Sequence, residues 1–248
     1  MGTGAPTPMN MSPQPMTTNT GLNTGPNTAH TTGIGAHTGL LTLAQWLSPA
    51  FPVGAFAYSH GLETAIQSGV VANPEELQIW LSDLLHHGSG RNDCILLRAA
   101  YNSADRADLA HVNATALSFA ASAERRMETE LQGDAFCQTT AAIWGGEPSG
   151  LAYPVAVGAA AARLNLDLNL TAGLYLQAFT SNLVSAAVRL VPLGQTAGQA
   201  VLAALTPVCT ELAMETEHRT LDDLHSSAFL SDIAAMTHET LQPRIFRS

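Results

Sequence analysis

From Leu40 to the C-terminus, apolar residues recur three and four apart, and no stretch alternates with period two for long enough to demand a strand. That spacing closes off sheet-based folds. Alanine, the best helix former, is abundant, so the predicted class is all-α: a single helical-bundle-like domain of about ten helices over residues 40–248. Residues 1–39 are Thr, Gly, Asn and Pro with scarcely an aliphatic side chain. They cannot bury enough apolar area to offset chain entropy, and a disordered leader is expected there.

Leu40, Leu41, Leu43, Ala44 and Leu47 predict a short helix that stops before Pro49, because proline disfavours helical geometry in the preceding residue. Asn73, Pro74 and Glu76 form a start signal: a side-chain cap, a proline at the first helical position and a carboxylate reaching back. Leu77, Trp80, Leu81, Leu84 and Leu85 then share one face, and Gly88 ends the run. Further helical runs cover about 91–101, 105–122, 124–143, 154–164, 170–190, 195–218 and 228–238. Gly145–Pro148 is the widest internal break, and no internal repeat is visible.

Charge and composition narrow the chemistry. Twenty acidic residues against ten basic ones give a net charge of −10, which argues against nucleic acid as a partner. All ten basic residues are arginine. Without lysine there is neither a Schiff-base lysine nor a Walker-type phosphate loop. Cys94, Cys137 and Cys209 are odd in number and far apart, which suggests neither a disulfide framework nor a thiolate zinc site and fits a reducing cytoplasm. The most apolar internal stretch, 168–193, is interrupted by Asn169, Gln177, Asn182 and Arg189, so no membrane span is expected, and the N-terminus does not read as a signal peptide.

Catalytic motifs are incomplete. His238-Glu239-Thr240-Leu241-Gln242 resembles a helical zinc-protease signature but carries Gln where the second imidazole belongs. Glu215/His218 has the Glu-x-x-His spacing of di-metal bundles, with Asp83/His86, Asp108/His111 and Asp222/His225 as aspartate versions. Acids and histidines three apart are also common on solvated faces. A metal-binding helical bundle with its own redox or storage activity is therefore kept as the alternative reading. His86-His87 beside Gly88 reads as an imidazole capping free carbonyls.

Two stretches remain. Ser48 to Glu63, SPAFPVGAFAYSHGLE, is rigid by construction: Pro49 and Pro52 each lock a dihedral, and Gly54 permits a turn. Phe51 and Phe56 are expected inside an inter-helix corner, whereas some of Tyr58, Ser59, His60 and Glu63 are expected to face outward. The C-terminal HETLQPRIFRS follows a helix-stopping Pro243 with an arginine-aromatic-arginine run. Such a tail can fold back on its own acidic body, but its composition favours a partner interface.

These segments resemble the UreF family of urease accessory proteins. Ser48–Glu63 is similar to the family's S-P-x-x-P-V-G-x-F-x-Y-S-x-G-L-E entry, and residues 124–136, ERRMETELQGDAF, to its E-x-R-x-E-T-x-x-x-G segment, with Arg126, Glu128 and Gly133 in place. Residues 181–199 match the long helix and the P-L-G-Q-T-x-G-Q turn, whose Pro192, Gly194, Gln195 and Gln199, like Pro49, Pro52 and Gly54, are read as structural turn residues. The tail resembles R-H-E-x-x-x-x-R-L-F-R-S, with Thr237 where arginine is common and Ile245 for leucine.

The resemblance implies a non-enzymatic, cytoplasmic adaptor, commonly dimeric. It would join UreD (UreH in some organisms) and the GTPase UreG, regulate the GTPase and help pass nickel to apo-urease. No cofactor or metal of its own is implied, nickel being handled transiently by the complex. On this chain Glu239, Pro243, Arg244, Ile245, Phe246, Arg247 and Ser248 would dock UreD, with Phe246 entering a pocket. Tyr58, Gly61, Glu63, Arg126 and Glu128 would lie close to the face offered to UreG.

Overall fold

The computed structural model describes residues 1–4, 28–146 and 149–248. Among them the regular structure is all α-helix with short 3-10 turns. In chain order the helices are α1 (Thr28–Trp46), α2 (Leu62–Gln67), α3 (Pro74–His87), α4 (Ser89–Tyr101), α5 (Arg106–Ser118), α6 (Ala123–Trp144), α7 (Tyr153–Arg163), α8 (Leu168–Leu190), α9 (Gln195–Glu215) and α10 (Phe229–His238).

Caps explain the boundaries. The Asn73 side chain accepts from the Glu76 amide at 2.9 Å, while the Glu76 carboxylate accepts from Ala72 N–H at 2.8 Å. Asp105, Ser122 and Asp167 play the same part for α5, α6 and α8. Two elements differ from expectation. The first helix begins at Thr28 rather than Leu40, since a helix seated by its apolar C-terminal turn extends backward at one hydrogen bond per residue. Of the expected leader, residues 5–27 lie outside the described residues, as do Glu147 and Pro148 of the internal break. The second difference is α2, a six-residue helix that no periodicity announces because it is shorter than two turns.

The main core gathers Trp46, Leu62, Leu77, Leu81, Leu97, Phe136, Leu176, Leu183 and Leu205. Edge-on packing of Trp46 on Phe136, with centroids 5.3 Å apart, ties α1 to α6. A smaller cluster of Ile95, Leu96, Val112, Ala116 and Val155 joins α4, α5 and α7. Helix α4 crosses α7 so closely that a Cβ on Gly158 would lie 2.1 Å from the Leu97 carbonyl oxygen. Only glycine fits there. The segment Gln195–His218 is the one described stretch long and apolar enough to cross a membrane. Its Leu205, Cys209 and Leu212 are instead buried in the core.

Candidate functional site

The stretch 48–63 turns a corner against α8. Phe51 is buried and packs on Phe136, with centroids 5.5 Å apart. Gly54 takes a left-handed φ of 73° and opens a single 3-10 turn, Ala55–Ala57. The Asn182 amide donates to the Ala55 carbonyl at 2.9 Å, and the Arg189 guanidinium donates to the Phe56 carbonyl at 2.9 Å. Phe56, expected inside, is exposed, because its carbonyl rather than its ring is held to α8. Gly61 has a φ of 76°, and a Cβ there would lie 2.5 Å from the backbone nitrogen of Ala235. Helix α10 therefore rests directly on this glycine.

The C-terminal tail folds back on this corner. The buried Glu63 carboxylate accepts from the amides of Ile245 at 2.7 Å and Phe246 at 2.9 Å. His238, fully buried, stands between Glu63 at 3.2 Å from Nε2 and Glu124 at 2.7 Å from Nδ1. Arg244 completes the group by pairing with Glu124. Ser59 N–H donates to the Ser248 carbonyl at 2.8 Å, and Arg247 N–H to the Ala57 carbonyl at 2.9 Å. The Phe246 ring is buried beneath the Arg189 guanidinium, 4.5 Å from its centroid.

A second buried network lies beside the first. Glu128 accepts from the Ser248 hydroxyl at 2.6 Å and from the Gln132 amide at 2.8 Å, pairs with Arg125, and lies 2.8 Å from His60 Nε2. Burial alone would push its carboxyl up, but Arg125, His60 and the Ser248 hydroxyl outweigh it and hold the group at about 2. His60 is held low, first by burial and then by Arg125, against the pull of Glu128. Burial raises the Tyr58 phenol, with Glu128 adding to it and Arg247 opposing it.

Several expectations are corrected by these contacts. Tyr58, Ser59, His60 and Glu63 are buried rather than outward, Gly61 and Glu128 are buried as well, and of the proposed GTPase-facing set only Arg126 is exposed. In this structure Phe246 and Ser248 fill seats in their own chain, while Pro243, Arg244, Ile245 and Arg247 stay exposed and Glu239 caps α6 by accepting from Ala123 N–H. The acids Glu63, Glu124 and Glu128 explain the reversal: each is too costly to bury without the donors the tail brings. Pro49, Pro52, Pro192 and Gly194 lie at exposed turns, with Gly194 at a φ of 74° just before α9, whereas Gln195 and Gln199, expected in the turn, are exposed residues at the start of the α9 helix itself. His218 and Glu215 are exposed, and among the described residues no three His, Cys, Asp or Glu side chains converge as ligands.

Beside the corner lies a cleft of about 540 Å³, with Phe51, Val53 and Phe179 on its walls. At its floor Asp93 accepts from the Tyr175 hydroxyl at 2.8 Å, next to Tyr153, whose ring centroid is 5.5 Å from that of Tyr175. Burial raises Asp93 to about 6, with Arg125 and the Tyr175 hydrogen bond opposing it. Sequence reasoning missed Asp93, Arg125, Tyr153, Tyr175 and Glu124. No short-range pattern marks them, since α4, α6, α7 and α8 converge only in the folded chain.

The architecture defines an all-α protein whose most concentrated polar chemistry is a buried seat for its own tail. The UreF family model matches residues 71–206. Three proteins named urease accessory protein UreF extend the likeness. That of Ruegeria pomeroyi is 54% identical over 209 residues, covering 84% of this chain and 96% of its own length. Those of Roseobacter denitrificans and Jannaschia sp. are 51% identical over 222 residues and 47% over 210, covering 89% and 85% of this chain and 100% and 94% of their own. The chain belongs to the UreF family of urease accessory proteins.

Proposed function

We propose that this chain is a non-catalytic adaptor in urease maturation: a cytoplasmic homodimer that joins UreD and the GTPase UreG, regulates the GTPase and assists nickel insertion into apo-urease. The observation that carries this reading is an apolar stripe left in water. Helix α10, which leads into the docked tail, exposes Phe229, Leu230, Ile233 at 58% and Met236, and Ile245 follows at 73%. A helical face of that kind, at i, i+1, i+4 and i+7, fits a macromolecular partner. UreD is assigned to this stripe and to Ile245. UreG is assigned to the exposed Phe56, Arg126 and Arg247, with Tyr58, Glu63 and Glu128 holding that surface in shape from beneath.

The test is co-expression with the urease partners followed by size-exclusion chromatography and nickel analysis. Leu230→Glu with Ile233→Glu is expected to abolish co-elution with UreD while the helical circular dichroism is unchanged. Undiminished co-elution removes the assignment. Phe56→Ala with Arg126→Ala is expected to weaken capture of UreG, and normal capture rejects that half.

A further inference from the structure

We propose that the cleft beside the corner binds a small organic cation, an ammonium or guanidinium group on an apolar stem, with Asp93 as its counter-ion. The inference does not depend on the adaptor reading. The cleft's volume lies within the usual range for small-molecule sites, and its apolar walls with a few convergent polar groups are the usual design. The charge of the lining decides the ligand's sign. Two carboxylates, Asp93 and Glu128, line the cleft with one guanidinium, Arg125, which is already paired with Glu128. Asp93 has no ion pair among the described residues, and its hydrogen-bond donor is the Tyr175 hydroxyl.

An unused acceptor points the same way. Gln177 Oε1 and His60 Nδ1 are buried without a hydrogen-bond partner, and both residues line the cleft. His60 Nε2 sits 2.8 Å from both the Arg125 guanidinium and Glu128, so the ring's proton position follows the tautomer and Gln177 Oε1 is the acceptor left over in the cleft. A ligand carrying several N–H donors answers acceptors that an anion cannot. The Tyr153 and Tyr175 rings add faces suited to a cation. The groups that bear on Asp93 are Tyr175 from α8, Tyr153 from α7, and Arg125 and Glu128 from α6, with His60 of the corner elsewhere in the cleft lining. Since burial holds the Asp93 carboxyl at about 6, the cation meets an ionised partner above that pH and a neutral one below it.

Isothermal titration of the full chain with 2-phenylethylammonium, and with 2-phenylethanol as its neutral isostere, tests the assignment. At pH 8 the ammonium compound is expected to bind saturably and about tenfold more tightly than the alcohol. Asp93→Asn should erase that preference, and in the unaltered protein it should shrink between pH 8 and pH 5. Equal affinity for the two compounds, no saturable binding of the ammonium, or a preference that survives Asp93→Asn each overturns the proposal. Should Asp93→Asn fail to fold, the pH comparison and a Gln177→Leu variant, expected to weaken ammonium binding while Asp93 stays in place, decide it.

Discussion

Three buried side chains, Glu63, Glu128 and His238, have their polar atoms served by the tail, by neighbours on α6, by His60 or by one another, and this makes them sensitive to small changes. Glu128→Gln keeps the shape but leaves Arg125 without its charge partner. It is expected to lower stability at pH 7 by roughly 3 kcal/mol in urea unfolding. Gly61→Ala acts on the backbone. The residue combines a left-handed φ of 76° with a Cβ position 2.5 Å from Ala235 N, so α10 must shift or the corner must unwind. A loss of roughly 2–4 kcal/mol in the same assay is expected. The motif over 48–63 marks Gly61, but nothing local in it says that Ala235 will lie against the residue, whereas nothing lies within 4 Å of Gly2 or Gly4.

At the level of elements, the tail is a structural part of the molecule as well as a proposed partner surface. Deleting residues 239–248 removes the donors to Glu63 and Glu128 together with the Phe246 ring, so both unfolding and partner loss are expected from one deletion. Ile245→Asp separates the two. Its side chain is exposed while its amide still reaches Glu63, so thermal unfolding should be within the small range usual for surface changes, about 0.5 kcal/mol, while UreD capture falls. A large drop in melting temperature would show that the side chain packs where the structure leaves it in water. Helix α10 was legible from its spacing at 228–238. The destination of the chain after it was not, because an arginine-aromatic-arginine run suits a pocket in another protein and a pocket in its own.

For the whole molecule, pH couples the two networks and the cleft. Glu128 is ionised more readily folded than unfolded, so its contribution is present above its ordinary 4.5 and is lost as pH falls toward about 2. His60, also held low, acts in the same direction and begins to cost stability nearer neutrality, below its ordinary 6.5. Asp93 runs the other way: its raised value makes its contribution complete below 3.8 and lost as pH rises through about 6. The melting temperature should therefore fall steeply on strong acidification, and Glu128→Gln should flatten that limb. Asp93→Asn should raise the melting temperature more at pH 8 than at pH 4, and an equal effect at both would contradict the buried charge.

The amino-acid order by itself determined the longer helices, though not the short α2 or the start of α1, because caps, prolines and three-to-four spacing act between residues within a turn or two of each other. Asn73 announces its helix wherever that helix ends up. Only the tertiary structure decided which polar groups face inward. Glu63 meets the amide of Ile245 across 182 positions of chain, and Glu128 meets Ser248 across 120. A carboxylate read alone belongs in water. Whether it is buried depends on donors that arrive from elsewhere in the fold, and here the chain's own last residues supply them.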